Sequence, residues 1–138
     1  MPYDPVLVAP MREELTNIGI IELTTIDTVD EFMNDKNGSS LIIINSVCGC
    51  AAGSARPGVT IALKNDKKPD RVATVFAGQD LEATAKVRGY FPQIPPSSPS
   101  FALFKEGELV FMYPRHFIEG RSPEVIGADL VEAFEEYL

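Results

Sequence analysis

The chain has 138 residues, 45% hydrophobic and 23% charged, which is the balance of one water-soluble domain and too short for two ordinary ones. Twenty acidic residues against twelve basic ones give a net charge of -8, which excludes nucleic acid and anionic membranes as natural partners. No apolar run approaches the roughly 20 residues of a transmembrane helix, and no basic-then-apolar leader directs export, so a cytoplasmic location is expected.

Asp4 followed by Pro5 reads as a helix N-cap with proline at the first helical position. Leu7, Met11, Leu15 and Ile18 continue as one apolar stripe of helical period. Pro10 should kink or divide this helix, and Asn17 and Gly19 should end it. Residues 20–23 form a short strand candidate. Thr24 and Thr25 offer caps for a helix to Asp35, with Ile26, Val29, Phe32 and Met33 as its buried face. Asn37, Gly38 and two serines turn the chain into residues 41–45, consecutively apolar as in a strand covered on both faces. Between residues 50 and 65 the helical signal is imperfect, because Gly53, Pro57 and Gly58 interrupt it. Residues 71–77 repeat the buried-strand pattern, and Asp80 caps a helix carrying Ala83, Val87 and Phe91. A proline-rich loop, 92–99, follows. Residues 101–105 and 109–113 flank Glu106-Gly107 as a β-hairpin, and Ser122-Pro123 opens a last helix with the stripe Ile126, Leu130, Ala133, Phe134 and Tyr137.

Strand–helix–strand alternation demands a parallel core with right-handed crossovers, and the closing hairpin adds antiparallel strands at one side. The economical solution is a single α/β domain over residues 1–138, a three-layer α/β/α sandwich on a mixed five-stranded sheet. Among common folds the thioredoxin-like one has this order.

Cys48 and Cys50 are separated by one glycine, so they cannot staple distant segments. In a reducing compartment such pairs are more often metal ligands or redox centres than structural bridges. They lie where a buried strand turns into a helix, and free backbone N–H groups there favour a thiolate. No Asp or Glu occurs between Asp35 and Asp66, although central strands and their helices are poor in charge for packing reasons alone. Cys48, nearer the helix start, should be the more acidic and more exposed thiol. Residues two apart on a helix point to nearly opposite sides, so closing a disulfide should bend the chain at Gly49. A strained disulfide is easily reduced, which suits an oxidising or isomerising centre better than a strong reductant. A closed metal site usually wants about four ligands. Two cysteines and His116 do not supply them, so the reading from a different class is a metal-binding or delivery module completed by a second chain.

The stretch Asn45-Ser46-Val47-Cys48-Gly49-Cys50-Ala51-Ala52-Gly53, continuing to Ala55-Arg56-Pro57, resembles the signature of the bacilliredoxin family. The similarity extends to Pro10-Met11-Arg12, Val75-Phe76-Ala77-Gly78-Gln79-Asp80, Pro96-Ser97-Ser98-Pro99-Ser100, Pro114-Arg115-His116 and Glu119-Gly120, and so covers nearly the whole chain. The resemblance implies a thioredoxin-like fold and thiol–disulfide exchange on S-bacillithiolated or disulfide-containing client proteins. Bacillithiol is then the low-molecular-weight co-substrate, with no bound cofactor and no metal. Cys48 would be the attacking cysteine, and Cys50 or a second thiol would release the adduct. Protein disulfide isomerase activity by the same cysteines is the alternative that the family also carries. The resemblance further marks Ser98 and Pro99 as a substrate-binding pair with a cis bond facing the cysteines. His116 reads as a structural histidine at a hairpin end that the topology does not obviously bring near the cysteines, and Arg56 as a salt-bridging or packing residue of the motif helix, with contact to an anionic thiol ligand as its alternative.

Overall fold

The computed structural model describes residues 2–138. The Asp4 carboxylate accepts from the Val6 N–H at 2.9 Å and opens α1 (Pro5–Thr16). Pro10 does not divide this helix. Its missing N–H releases only the carbonyl of Val6, a residue that is 79% exposed, so water can take the place of the lost bond. The buried positions are Val8 and Leu15, while Leu7 and Ile18 of the expected stripe stand exposed. The apolar run 6–9 offers neighbouring phases of one helical period, and the sheet selects the one through Val8.

After β1 (Ile21–Glu22), Thr25 and Thr28 cap α2 (Ile26–Asn34) reciprocally. Val29, Phe32 and Met33 are buried there, whereas Ile26 in the first turn is exposed. Every residue of β2 (Ser39–Asn45) is buried. The chain then turns through the cysteines into a helix that begins with a π-helical turn (Ala51–Ala55) and tightens into α3 (Arg56–Ala62). Pro57 has no N–H for the Gly53 carbonyl, and the Arg56 N–H already reaches back five residues to Ala51.

Next come β3 (Arg71–Phe76) and α4 (Leu81–Arg88). Asp80 stands at the N-cap of α4 but makes no capping bond with its side chain. Its carboxylate instead takes Arg12 at 2.7 and 2.9 Å and the Phe76 N–H at 3.2 Å. A bidentate guanidinium outcompetes a neutral amide for a carboxylate. β4 (Ser100–Lys105) and β5 (Glu108–Tyr113) form the hairpin, with φ of 52° at Glu106 and 81° at Gly107 as a two-residue turn of this hand requires. A short helix, α5 (Arg115–Ile118), has no counterpart in the expected elements. Ser122 caps α6 (Pro123–Tyr137), whose buried side is Ile126, Gly127, Leu130, Ala133 and Phe134.

The strand order is β1-β3-β2-β4-β5, with β1, β3 and β2 parallel and the hairpin antiparallel beside β2. Alternate residues of β2 serve the two faces. Leu41 and Ile43 pack with Leu15 of α1, Val59 of α3 and Leu130 and Phe134 of α6. Ile42 and Ile44 pack with Val29 and Phe32 of α2 and Ala83 and Val87 of α4. This is the expected three-layer sandwich on a mixed sheet. α3 and α6 approach closely where both lack side chains: a Cβ on Gly58 would sit 2.7 Å from Ile126 Cγ2, and one on Gly127 would sit 2.9 Å from Ile61 Cγ2. Among the described residues no helix is long and apolar enough to cross a membrane.

Register places the chemistry. β2 ends at Asn45, three residues before Cys48, and Ser100 at the start of β4 pairs with Ile44. Phe101 in turn pairs with Tyr113 at the end of β5. The cysteine turn, the loop before β4 and the start of α5 therefore meet at one end of the sheet.

Candidate active site

Both cysteines are free and half-buried, with their Sγ atoms 2.7 Å apart. The divergence expected for residues two apart on a helix does not occur. Cys48 precedes the helix, and its carbonyl accepts from Ala51 and Ala52 at 2.9 and 3.3 Å, as a capping residue's does. Its side chain can therefore lie over the first turn and meet Cys50 without a left-handed Gly49.

A polar cluster beneath fixes this turn. The Cys48 N–H donates to Ser46 Oγ at 3.1 Å, and the Ser46 N–H donates to Asn45 Oδ1 at 2.8 Å. Arg56, 2% exposed, donates from Nη1 to Asn45 Oδ1 at 3.0 Å and to the Ser46 carbonyl at 2.9 Å. Its Nε lies 3.1 Å from Glu14 Oε2 without the alignment of a hydrogen bond. Arg56 is thus a structural residue of the motif, as expected, and its bonds run to the backbone and Asn45.

The two thiols are driven apart in acidity. Cys48 lies below the ordinary cysteine value, chiefly because Cys50 donates a hydrogen bond to its sulfur. The backbone N–H groups of Cys50 and Ala51 and the charge of Arg115 pull the same way, against a burial penalty. Burial first, then the bond to Cys48 and its charge, push Cys50 up. Cys50 also packs against the α1, α3 and α6 side of the core. The pair thereby favours the charged form of the Cys48 sulfur and the protonated form of its neighbour.

The Ser98–Pro99 bond is cis and Pro99 is buried. Arg115 connects this loop to the cysteines: Nη2 donates to Cys48 Sγ at 3.2 Å and Nη1 to the Ser98 carbonyl at 3.3 Å. Its Nε holds Glu119 at 2.6 Å, and its own N–H reaches Ser97 Oγ at 3.3 Å. The end of the hairpin is therefore beside the cysteines, a proximity the element order did not make evident, because Tyr113 pairs with Phe101 directly after the cis-proline loop. Arg115 was visible in the sequence only within Pro114-Arg115-His116. His116 itself is exposed and lies with its ring 4.3 Å from that of Phe117. Among the described residues no three His, Cys, Asp or Glu side chains are grouped to hold a metal ion.

A family model described as disulphide isomerase matches residues 3–138. A bacilliredoxin of Salinibacter ruber is 56% identical over 139 residues, covering 99% of this chain and 82% of that protein. One from Shouchella clausii is 53% identical, covering 95% of this chain and 90% of its own length. Among solved structures, Fasciola hepatica thioredoxin superposes with a TM-score of 0.60 at 18% identity, over 86% of this chain and 100% of that one. Mitochondrial thioredoxin 3 of Saccharomyces cerevisiae gives 0.61 at 14% identity, over 89% and 98%. At these identities the likeness establishes the fold, which is that of thioredoxin.

Proposed function

Because the chain belongs to the bacilliredoxin family of thiol–disulfide oxidoreductases, we propose that it removes bacillithiol from S-bacillithiolated cytoplasmic proteins through Cys48. The observation that carries this reading is the unequal pair, a Cys48 sulfur shifted toward its charged form 2.7 Å from a Cys50 thiol shifted toward its protonated one. The Cys48 thiolate attacks the bacillithiol sulfur of the mixed disulfide. A bond from Cys48 to bacillithiol forms, the bond to the client breaks, and the client leaves as a thiolate that takes a proton from water. Two releases are open from there. Cys50 loses its proton and attacks Cys48, giving the Cys48–Cys50 disulfide and free bacillithiol. Alternatively, a second bacillithiol attacks the bound one, leaving as bacillithiol disulfide and restoring the Cys48 thiolate. Ser98 and Pro99 take the extended backbone of the client beside the cysteines. Bacillithiol is a co-substrate, and no bound cofactor takes part.

The description of the matching family model favours a second reading, isomerisation of client disulfides by the same two cysteines. Cys48 would then be displaced by another thiolate of the same client, with no net oxidation.

The deciding experiment is intact-mass measurement after incubation with bacillithiol disulfide. Cys50→Ser should gain and retain one bacillithiol at Cys48, and Cys48→Ser should gain none. Equal adducts on both variants, or none on Cys50→Ser, would sink the proposal.

A further inference from the structure

The guanidinium of Arg115 has an assignment that stability does not explain. It touches a sulfur 67 residues earlier in the chain, a carbonyl of the cis-proline loop, and Glu119. The Arg115 and Glu119 side chains are 41% and 57% exposed, and ion pairs so open to water contribute little to folding. The other cationic or titratable groups near the turn are engaged elsewhere. Arg56 serves Asn45, Ser46 and Glu14; Arg12 serves Glu22 and Asp80; Arg88 donates to the Ser97 carbonyl; and the His116 ring lies against Phe117. Arg115 is the cation in contact with the Cys48 sulfur.

We infer that Arg115 is a catalytic residue of the exchange, holding the Cys48 sulfur as an anion both when it attacks and when it leaves, with Glu119 as the residue that positions it. The inference rests on the exchange chemistry proposed for Cys48. In the attack, the sulfur carries its electron pair to the disulfide and the charge passes to the departing thiolate. In release by a second low-molecular-weight thiol, the incoming thiolate bonds to the attached sulfur, and the Cys48 bond breaks with its electron pair returning to Cys48. Nη2 faces the sulfur at both ends of this cycle. The Glu119 carboxylate on Nε and the Ser98 carbonyl on Nη1 leave Nη2 aimed at Cys48.

The test is the pH dependence of iodoacetamide labelling of Cys48, with Cys50→Ser as the common background so that one thiol reports. Arg115→Gln should raise the midpoint by about one pH unit, the low end of what an adjacent opposite charge produces. Arg115→Lys should recover part of that shift, and Glu119→Gln should give a smaller rise than Arg115→Gln. A purely structural role predicts an unmoved midpoint with lower stability in urea. An unchanged midpoint in folded Arg115→Gln overturns the inference even if the parent exchanges bacillithiol. A raised midpoint supports it even if no variant takes up bacillithiol, in which case the proposed co-substrate fails by itself.

Discussion

Arg56 Nη1 lies 3.0 Å from Asn45 Oδ1, so one buried side chain ties the end of the central strand to the helix that follows the cysteines. Asn45 also donates from Nδ2 to the Met11 carbonyl at 3.2 Å, which brings α1 into the same tie. The cysteine turn is held from below by three elements.

Arg56→Met, which keeps the bulk and removes the donors, should lower stability by about 3 kcal/mol, because hydrogen bonds to charged groups contribute about 1.5–3 kcal/mol each. Arg56→Lys should lose nearly as much, since one ammonium cannot reproduce the spread of the guanidinium. Urea denaturation checks both. A loss under about 1 kcal/mol in Arg56→Met would show that these bonds carry little of the stability.

In single-cysteine variants, Cys48 should alkylate well below the pH at which Cys50 does, since its acidity is raised while burial suppresses that of Cys50. Cys50→Ser should shift the Cys48 midpoint only modestly, because a hydroxyl still donates to the sulfur. Cys50→Ala should move it further up, because the first cause of its depression is gone. The sign for folding follows. A thiol depressed in the folded protein stabilises the fold above its unfolded value near pH 8.5, and this stabilisation is lost as pH falls through the folded value. Labelling at equal rates across neutral pH would contradict the separation of roles.

Gly58→Ala and Gly127→Ala should each destabilise the protein. A helix gains about 1 kcal/mol from such a change in isolation. Here the new Cβ would sit 2.7 Å from Ile126 Cγ2 or 2.9 Å from Ile61 Cγ2, and overpacking of this kind costs about 1–3 kcal/mol. Thermal melts read the outcome, and a rise in Tm for both would show that α3 and α6 can move apart freely.

Tyr113 is pushed up to about 12, first by burial and then by its hydrogen bond to Asp129. An acid raised in the folded state stabilises the fold below its unfolded value of about 10, and that contribution is lost as pH rises through the folded value. Stability should therefore fall between about pH 10 and 12, and Tyr113→Phe should flatten that decline. Urea midpoints at pH 9, 10 and 11 measure it, and identical slopes for parent and variant would remove Tyr113 from the account.

What the sequence made legible was local. Asp4-Pro5, Ser122-Pro123 and Glu106-Gly107 announce their caps and turn because the governing interactions span only a few residues. The cysteine pair at the end of a consecutively apolar strand is legible for the same reason. Asp80 shows where such reading stops: the residue type is right for a cap, but its partner is Arg12, 68 positions away. Arg115 is the larger case. Nothing in its own neighbourhood points to sulfur, and its place depends on two registers, Ile44 with Ser100 and Phe101 with Tyr113, that only the folded sheet defines. The inner face of α1 was obscured by the opposite problem, four consecutive apolar residues before Pro10 with nothing local to choose among their phases.

The separation of Cys48 from Arg115 also sets an order of assembly. β2 finds β3 about thirty residues on, but β4, β5 and α5 come much later in the chain, and contacts so distant along it form late and at an entropic cost. An unfinished chain that has emerged only through β3 carries both cysteines but lacks the guanidinium that contacts the Cys48 sulfur. The complete set of interactions that lowers the Cys48 value therefore exists only in the completed fold. On refolding from urea, fast thiol labelling of Cys48 at neutral pH should lag the return of helical circular dichroism, and Arg115→Gln should shorten that lag by removing its last step.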